Sequence, residues 1–192
     1  MSILSDTAIL KAMDRGEIVI DPFDAANLGG NSYDVHLSPY LLTYQESGGI
    51  VGRVYLDCAE KPFIEQEVIP DHGLLLFPGR LYLASTVEYT ETHCHVPYLD
   101  GRSSTARLGI SIHLTAGRGD VGFCNHWTME ITVVHPTVVY AGMRIGQLTY
   151  HTVEGHVDRR YASKPNTTYG AAARNPKPVA SGLWRSLAEK TR

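Results

Sequence analysis

The chain has 192 residues, a net charge of −3, and 19% charged residues. That length suits one domain with a sizeable core and is short for two. The balance of charge excludes a polybasic surface for a nucleic-acid polymer, and apolar runs no longer than a strand exclude a membrane span.

The first expected element is a short helix near the N-terminus. Ser5 or Asp6 caps it, Ile9, Leu10 and Met13 form its apolar stripe, and Gly16 is placed to end it. Strands then dominate, at 18–20, 33–37, 40–44, 74–77, 81–88, 127–134 and 145–150. The pairs Asp21-Pro22, Gly29-Gly30, Pro78-Gly79 and Ala141-Gly142 supply turns between them. With 18 glycines, 10 prolines and many short strands, the pattern is a closed or sandwiched antiparallel β domain over 1–165. From Asn166 onward the residues are small, polar and proline-bearing, as in an extended tail over 166–192, with 183–190 as a terminal helix.

The opening MSILSDTAIL lacks the basic start and long apolar centre of a secretory signal. Cys58, Cys94 and Cys124 are odd in number and widely spaced, which fits reduced thiols. Together these lead to the expectation of a cytoplasmic protein.

Four stretches carry chemistry. In THCHV, alternation along a strand keeps His93, Cys94 and His95 from sharing one metal, and C-x-x-C pairs are absent, so packing and surface roles are expected. Arg118-Gly119-Asp120 reads as a tight turn. Glu130 lies inside WTMEITVV, either on a solvated strand face or where water is scarce enough for a carboxylate to act as a base. GRSSTARLG at 101–109 packs serine hydroxyls, arginine forks and turn amides into an oxyanion cradle; its bland alternative is a turn capped by Ser103 and Ser104.

GRSSTARLG, TAGRGDVGF at 115–123 and Met129-Glu130 resemble the dCTP deaminases of the dUTPase-like superfamily. Leu4-Ser5-Asp6, IDPF at 20–23, SYDVHL at 32–37, PGRLYLASTVE at 78–88 and AGMRIGQL at 141–148 agree, so the resemblance covers about residues 3–170. It implies a distorted antiparallel β-barrel of the β-clip type, assembled as a homotrimer with sites at subunit boundaries. It also implies zinc-free hydrolytic deamination of dCTP to dUTP and ammonia. Magnesium would arrive with the triphosphate, with no protein ligands, and dTTP is a possible inhibitor.

By the same resemblance, Glu130 matches the general acid/base. Ser103 and the Ala116 carbonyl match the groups that position the water, and Arg107 matches the cation that stabilises developing charge. Arg102, Ser103, Ser104, Thr105, Ala106 and Arg107 match the nucleotide-binding stretch. Asp120 matches the contact to the 3′-hydroxyl, Thr128 and Met129 the backbone along the base, and Gln147 and Tyr161 further nucleotide contacts. Arg118 also matches a nucleotide-binding position.

The sequence departs from the family pattern in three places. Thr168 replaces the lysine before Tyr169, the following glutamine is missing around Ala171–Ala173, and Lys164 does not match in position. Asn125 stands where glycine is common and His126 follows it, as a turn device or as an altered substrate contact; the turn is the expected role. Gly119 replaces an isoleucine, a change that would loosen selection. Relatives that carry dUTP on to dUMP tend to have a hydrophobic residue where this chain has Arg118, so deamination alone is expected. The alternatives are a bifunctional deaminase-diphosphatase giving dUMP and a non-catalytic nucleotide sensor.

Overall fold

The computed structural model describes residues 2–45, 55–163, 174 and 176–188. Helix α1 (Asp6–Asp14) begins where extended Ser5 accepts the Ala8 N–H on its hydroxyl at 3.3 Å. It ends before Gly16, whose φ of +68° suits the residue that reverses the chain. Its buried side is Ile9 and Ala12 with Met13 beside them, whereas Leu10 is exposed, so the stripe is rotated from its expected position.

The strands are β1 (Ile18–Asp21), β2 (Tyr33–Tyr44), β3 (Ile64–Val68), β4 (Leu74–Leu76), β5 (Tyr82–Thr92) and β6 (Val96–Gly101). After the helical turn α2 (Ser103–Ala106) come β7 (Ile110–Ser111), β8 (Cys124–Val133), β9 (Thr137–Val139) and β10 (Arg144–His151). A last helix, α3, covers Leu183–Ala188. An eight-stranded antiparallel sheet runs β6-β10-β2-β5-β8-β7, with β1 on β5 and β3 on β2; β4 and β9 pair separately.

The sheet curls into a distorted barrel because its edges are drawn together. The segment leaving β7 returns to β6, where Leu99 N–H donates to Gly117 O at 2.7 Å and Gly119 N–H to Pro97 O at 2.9 Å. The interior is one apolar cluster that includes Val35, Leu37, Ala84, Met129, Ile131 and Leu148, with α1 packed on it through Ile9 and Ala12.

Two expected strands, 33–37 and 40–44, are one. Proline has no N–H for a ladder, and Pro39 falls in the register shift between Leu37 and Leu41, so β2 passes through it as an irregularity. β3 was not expected, because IEQEV presents four exposed side chains of five and lacks an apolar alternation. Among the described residues no helix is long and apolar enough to cross a membrane.

The described part of the tail lies against the sheet. The Ser38 and Ser85 hydroxyls both donate to Pro176 O. Val179 N–H donates to Thr128 Oγ1 at 3.1 Å and Ser181 N–H to Tyr44 Oη at 3.1 Å. Ala180 packs on the small cluster of Leu42, Tyr44 and Leu83. Lys164, Thr168, Tyr169 and Ala171–Ala173 lie outside the described residues.

Candidate active site

Period-two alternation sets the side-chain directions on β8. Met129, Ile131 and Val133 are buried in the core, which leaves Thr128, Glu130 and Thr132 half-buried on the other face. Glu130 therefore stands on the outer side of the sheet, opposite Leu83 of β5. That face is not bare: the 116–123 segment, Tyr161 and the tail at Val179 and Ser181 wall off a cleft of about 480 Å³ around it.

Ala116, Arg118, Asp120, Thr128, Glu130 and Tyr161 all line this cleft, so six of the expected residues are brought together. Leu81 and Leu83 supply apolar lining. The ring centroids of Phe123 and Trp127 are 4.7 Å apart and those of Phe123 and Tyr161 are 5.7 Å apart, giving an aromatic wall. Tyr161 is fixed there by its N–H to Val121 O at 2.8 Å. Glu130 N–H donates to Ile112 O at 2.9 Å, and Glu130 Oε2 accepts the Leu114 N–H at 3.4 Å. A carboxylate with one long amide contact keeps lone pairs free for a water or a ring nitrogen. Met129 reaches this face through backbone alone.

The second group of expected residues is elsewhere in the chain; the described lining of the cleft contains none of residues 101–107. Arg102 begins α2 with no side-chain cap, and its guanidinium pairs with Asp34 Oδ2 at 3.0 Å. Gln147 lies opposite Asp34 in the β2–β10 ladder and donates Nε2 to Asp34 Oδ1 at 3.0 Å. Arg144 adds a longer contact at 3.8 Å. Ser103, Ser104, Ala106 and Arg107 are exposed, while Thr105 is buried with its hydroxyl donating to Arg102 O at 2.9 Å.

Asp34, the hub of this group, was not singled out as a site residue. Its only signal was its place in SYDVHL. The 101–109 stretch is not the capped turn of the bland alternative: Ser103 and Ser104 lie inside the helical turn, which has no side-chain cap, and Arg102 is paired rather than solvated.

Several local expectations are corrected. Arg118-Gly119-Asp120 is no tight turn: Arg118 bridges to Tyr98 and the segment runs beside β6, the turn coming later at Gly122 with φ +90°. Asn125 and His126 are within β8, opposite Thr90 and Tyr89, so they are no turn device, and both line the cleft. Gly119 leaves no gap. A Cβ there would lie 2.8 Å from Trp127 Cη2 and 2.9 Å from Pro97 Cγ, so the indole fills the space. The run at 93–95 is a bend between β5 and β6 rather than a strand, and its side chains still part: His93 meets Glu91 at 2.9 Å, His95 meets Glu17 at 3.3 Å, and Cys94 is exposed.

Residues 3–153 match the family model described as dCTP deaminase-like. The chain belongs to that family. This dCTP deaminase-like chain is 47% identical to a protein of Cytophaga hutchinsonii over 77% of its own length and 82% of the relative's. It is 45% identical to one from Leptospira biflexa and 41% identical to one from Clostridium acetobutylicum, each over 88% of this chain and 92% of the relative. All three are named "dCTP deaminase, dUMP-forming". The solved structure of 2′-deoxycytidine 5′-triphosphate deaminase from Agrobacterium tumefaciens shares the fold, with a TM-score of 0.60 at 19% identity. The alignment covers 79% of this chain and 48% of that one, so this chain spans about half its length.

The names of these relatives overturn the expectation that the reaction stops at dUTP. That expectation rested on Arg118 alone. An exposed guanidinium at the cleft rim suits a bound triphosphate whether or not it is later cleaved. Cleavage depends on where a second water stands relative to the phosphates, which one residue type does not encode.

Proposed function

We propose that this chain deaminates dCTP and hydrolyses the nucleotide to dUMP. The balanced reaction is dCTP and two waters to dUMP, ammonia and diphosphate. The observation that carries this reading is Glu130: the matched acid/base is presented in a half-open cleft together with Ala116, Asp120 and Thr128, in a chain whose relatives are named for this conversion.

Glu130 would take a proton from water as the oxygen attacks C4, and return protons to N3 and to the departing amine. Ser103 and the Ala116 carbonyl would hold that water, and Arg107 would offset the charge that develops on the ring. The aromatic wall suits a planar pyrimidine, with the backbone of Thr128 and Met129 along its edge. Asp120 would accept from the deoxyribose 3′-hydroxyl, and Gln147 and Tyr161 would complete the nucleotide contacts. Arg102, Ser104, Thr105 and Ala106 would cradle the phosphates, with Arg118 at the rim. dTTP, which shares the sugar and phosphates, would compete for the same groups.

The described cleft lining holds none of residues 101–107, so in this reading one copy's α2 segment completes the cleft of its neighbour, in the homotrimer that the family resemblance implies. A magnesium ion would arrive with the triphosphate and neutralise its oxygens. The arginine side of the site fits that arrangement: Asp34 is already engaged by Arg102 and Gln147, so phosphate oxygens rather than a free carboxylate would carry the ion.

Incubation with dCTP and magnesium, followed by nucleotide chromatography and ammonia detection, tests the proposal. Ammonia and dUMP rising together are expected. Accumulating dUTP would overturn the second hydrolysis, and bound dCTP with no ammonia would leave only a sensor.

A further inference from the structure

Away from Glu130, at the far end of the β5–β8 pairing, three side chains of different ligand chemistry converge. Glu91 and Cys124 are direct partners in the antiparallel register, which puts their side chains on one face of the sheet. His93 follows the end of β5 in a bend that turns its imidazole back to Glu91, with Nε2 2.9 Å from Oε2. Its backbone is held in line by His93 N–H donating to Glu17 O at 2.9 Å. A carboxylate oxygen of Glu91, an imidazole nitrogen of His93 and the Cys124 sulfur all lie within 4.8 Å of one another.

A neighbouring hydroxyl orients one of these groups. Tyr89, on the same face, donates its hydroxyl to Glu91 Oε1 at 2.9 Å, which leaves Oε2 directed at His93 Nε2, also 2.9 Å away. Such an outer hydrogen bond orients a ligating carboxylate. Tetrahedral zinc with bonds of about 2.0–2.3 Å separates its ligand atoms by about 3.3–3.7 Å. Adjustments below an ångström or so would bring these three atoms to that spacing. All three residues are partly exposed, which gives an ion a path in. The mixed sulfur, nitrogen and oxygen donor set excludes magnesium and calcium, which take oxygen ligands.

We propose that Glu91, His93 and Cys124 form a binding site for a thiophilic divalent metal of the zinc class, with water in the fourth position. The site is separate from the nucleotide chemistry, since none of the three lines the cleft. Cys124 is nevertheless the residue before Asn125 and His126, which do line it. An ion clamping β5 to β8 here would hold that wall of the cleft and raise resistance to unfolding by mass action.

The test uses the full chain, reduced, freed of metal by chelation and titrated with Co²⁺, then Zn²⁺. One Co²⁺ per chain is expected, with a thiolate-to-cobalt absorption band that Zn²⁺ displaces, and a higher Tm with Zn²⁺ bound. Cys124→Ser should abolish the band, and His93→Gln, at a partly exposed position, should weaken binding about tenfold or more. Cys94→Ser should leave the titration unchanged. Ammonia release by these variants, assayed with magnesium alone, reports that the fold is kept. No saturable Co²⁺ binding, a band that survives Cys124→Ser, or a band lost in Cys94→Ser would each overturn the site.

Discussion

Arg102 Nη2 lies 3.0 Å from Asp34 Oδ2, an ion pair that fastens the start of the 102–107 segment to β2. The same carboxylate accepts from Gln147 at 3.0 Å, so one buried aspartate organises groups from β2, β10 and the α2 turn. Arg102 Nε has no partner in this arrangement and is buried. The guanidinium is thus held by Asp34 at one end, with its Nε enclosed and unpaired among the described residues.

Asp34→Asn removes half of this pair and leaves a guanidinium without its counter-charge. Breaking a fully buried pair costs about 3–5 kcal/mol, and the partial exposure of Arg102 reduces this to about 1–3 kcal/mol. Urea unfolding should show that loss. The KM for dCTP should rise as Arg102 and Gln147 lose their anchor, with kcat changed much less. An unchanged KM would mean that this cluster does not serve the nucleotide.

The proposed sharing of each site between two copies is open to a mixing experiment. Glu130→Gln and Arg107→Ala should each be nearly inactive alone. Unfolded together in equal amounts and reassembled, they should recover on the order of a quarter of wild-type activity, because one boundary in four would then pair an intact Glu130 with an intact Arg107. Mixtures as inactive as the single variants would contradict sites shared between copies.

Gly119 packs where any larger residue would meet Trp127 and Pro97. Gly119→Ala should therefore destabilise the chain by about 1–3 kcal/mol through overpacking. In a Trp127→Phe background, where the indole no longer fills the space, the same substitution should cost clearly less. Equal costs in both backgrounds, measured by thermal unfolding, would remove the explanation.

These residues also show what the sequence makes legible. α1 was readable because Ser5 and Gly16 are local signals at its two ends, whereas a lone acid in an apolar strand left Glu130 open between a solvated face and a sheltered one, a choice made by segments that fold over β8. Gly119 was misread as an opening, since its compensation by Trp127 is a contact between separate segments. Asn125 was misread as a turn because residue type outweighed the pairing with Thr90. β3 was missed because an edge strand with polar faces has no burial pattern to display. The 102–107 segment was recognised by its chemistry, but its separation from the cleft lining depends on how β6, β7 and β10 meet.

Acid stability depends on a second local device. Arg15 donates Nε and Nη2 to Glu17 at 2.8 and 2.7 Å, and His95 lies 3.3 Å away. The Arg15 hydrogen bond first, opposed by desolvation and aided by His95, holds the Glu17 carboxyl at about 2, below its ordinary 4.5. A folded-state pKa below the unfolded value stabilises the fold above pH 4.5, and that contribution is lost as pH falls toward 2. Glu17→Gln should flatten the acid limb of a Tm-versus-pH curve over this window. A limb of unchanged slope would show that the pair contributes nothing.

Glu130→Gln gives the most direct measurement of whether Glu130 performs the deamination. The substitution keeps the volume and removes the base. Ammonia release and dCTP binding, read by calorimetry on the same preparation, should separate: binding within a few-fold of wild type, and turnover lower by about 10²–10⁴. A variant that binds dCTP and still releases ammonia at the wild-type rate would contradict the account.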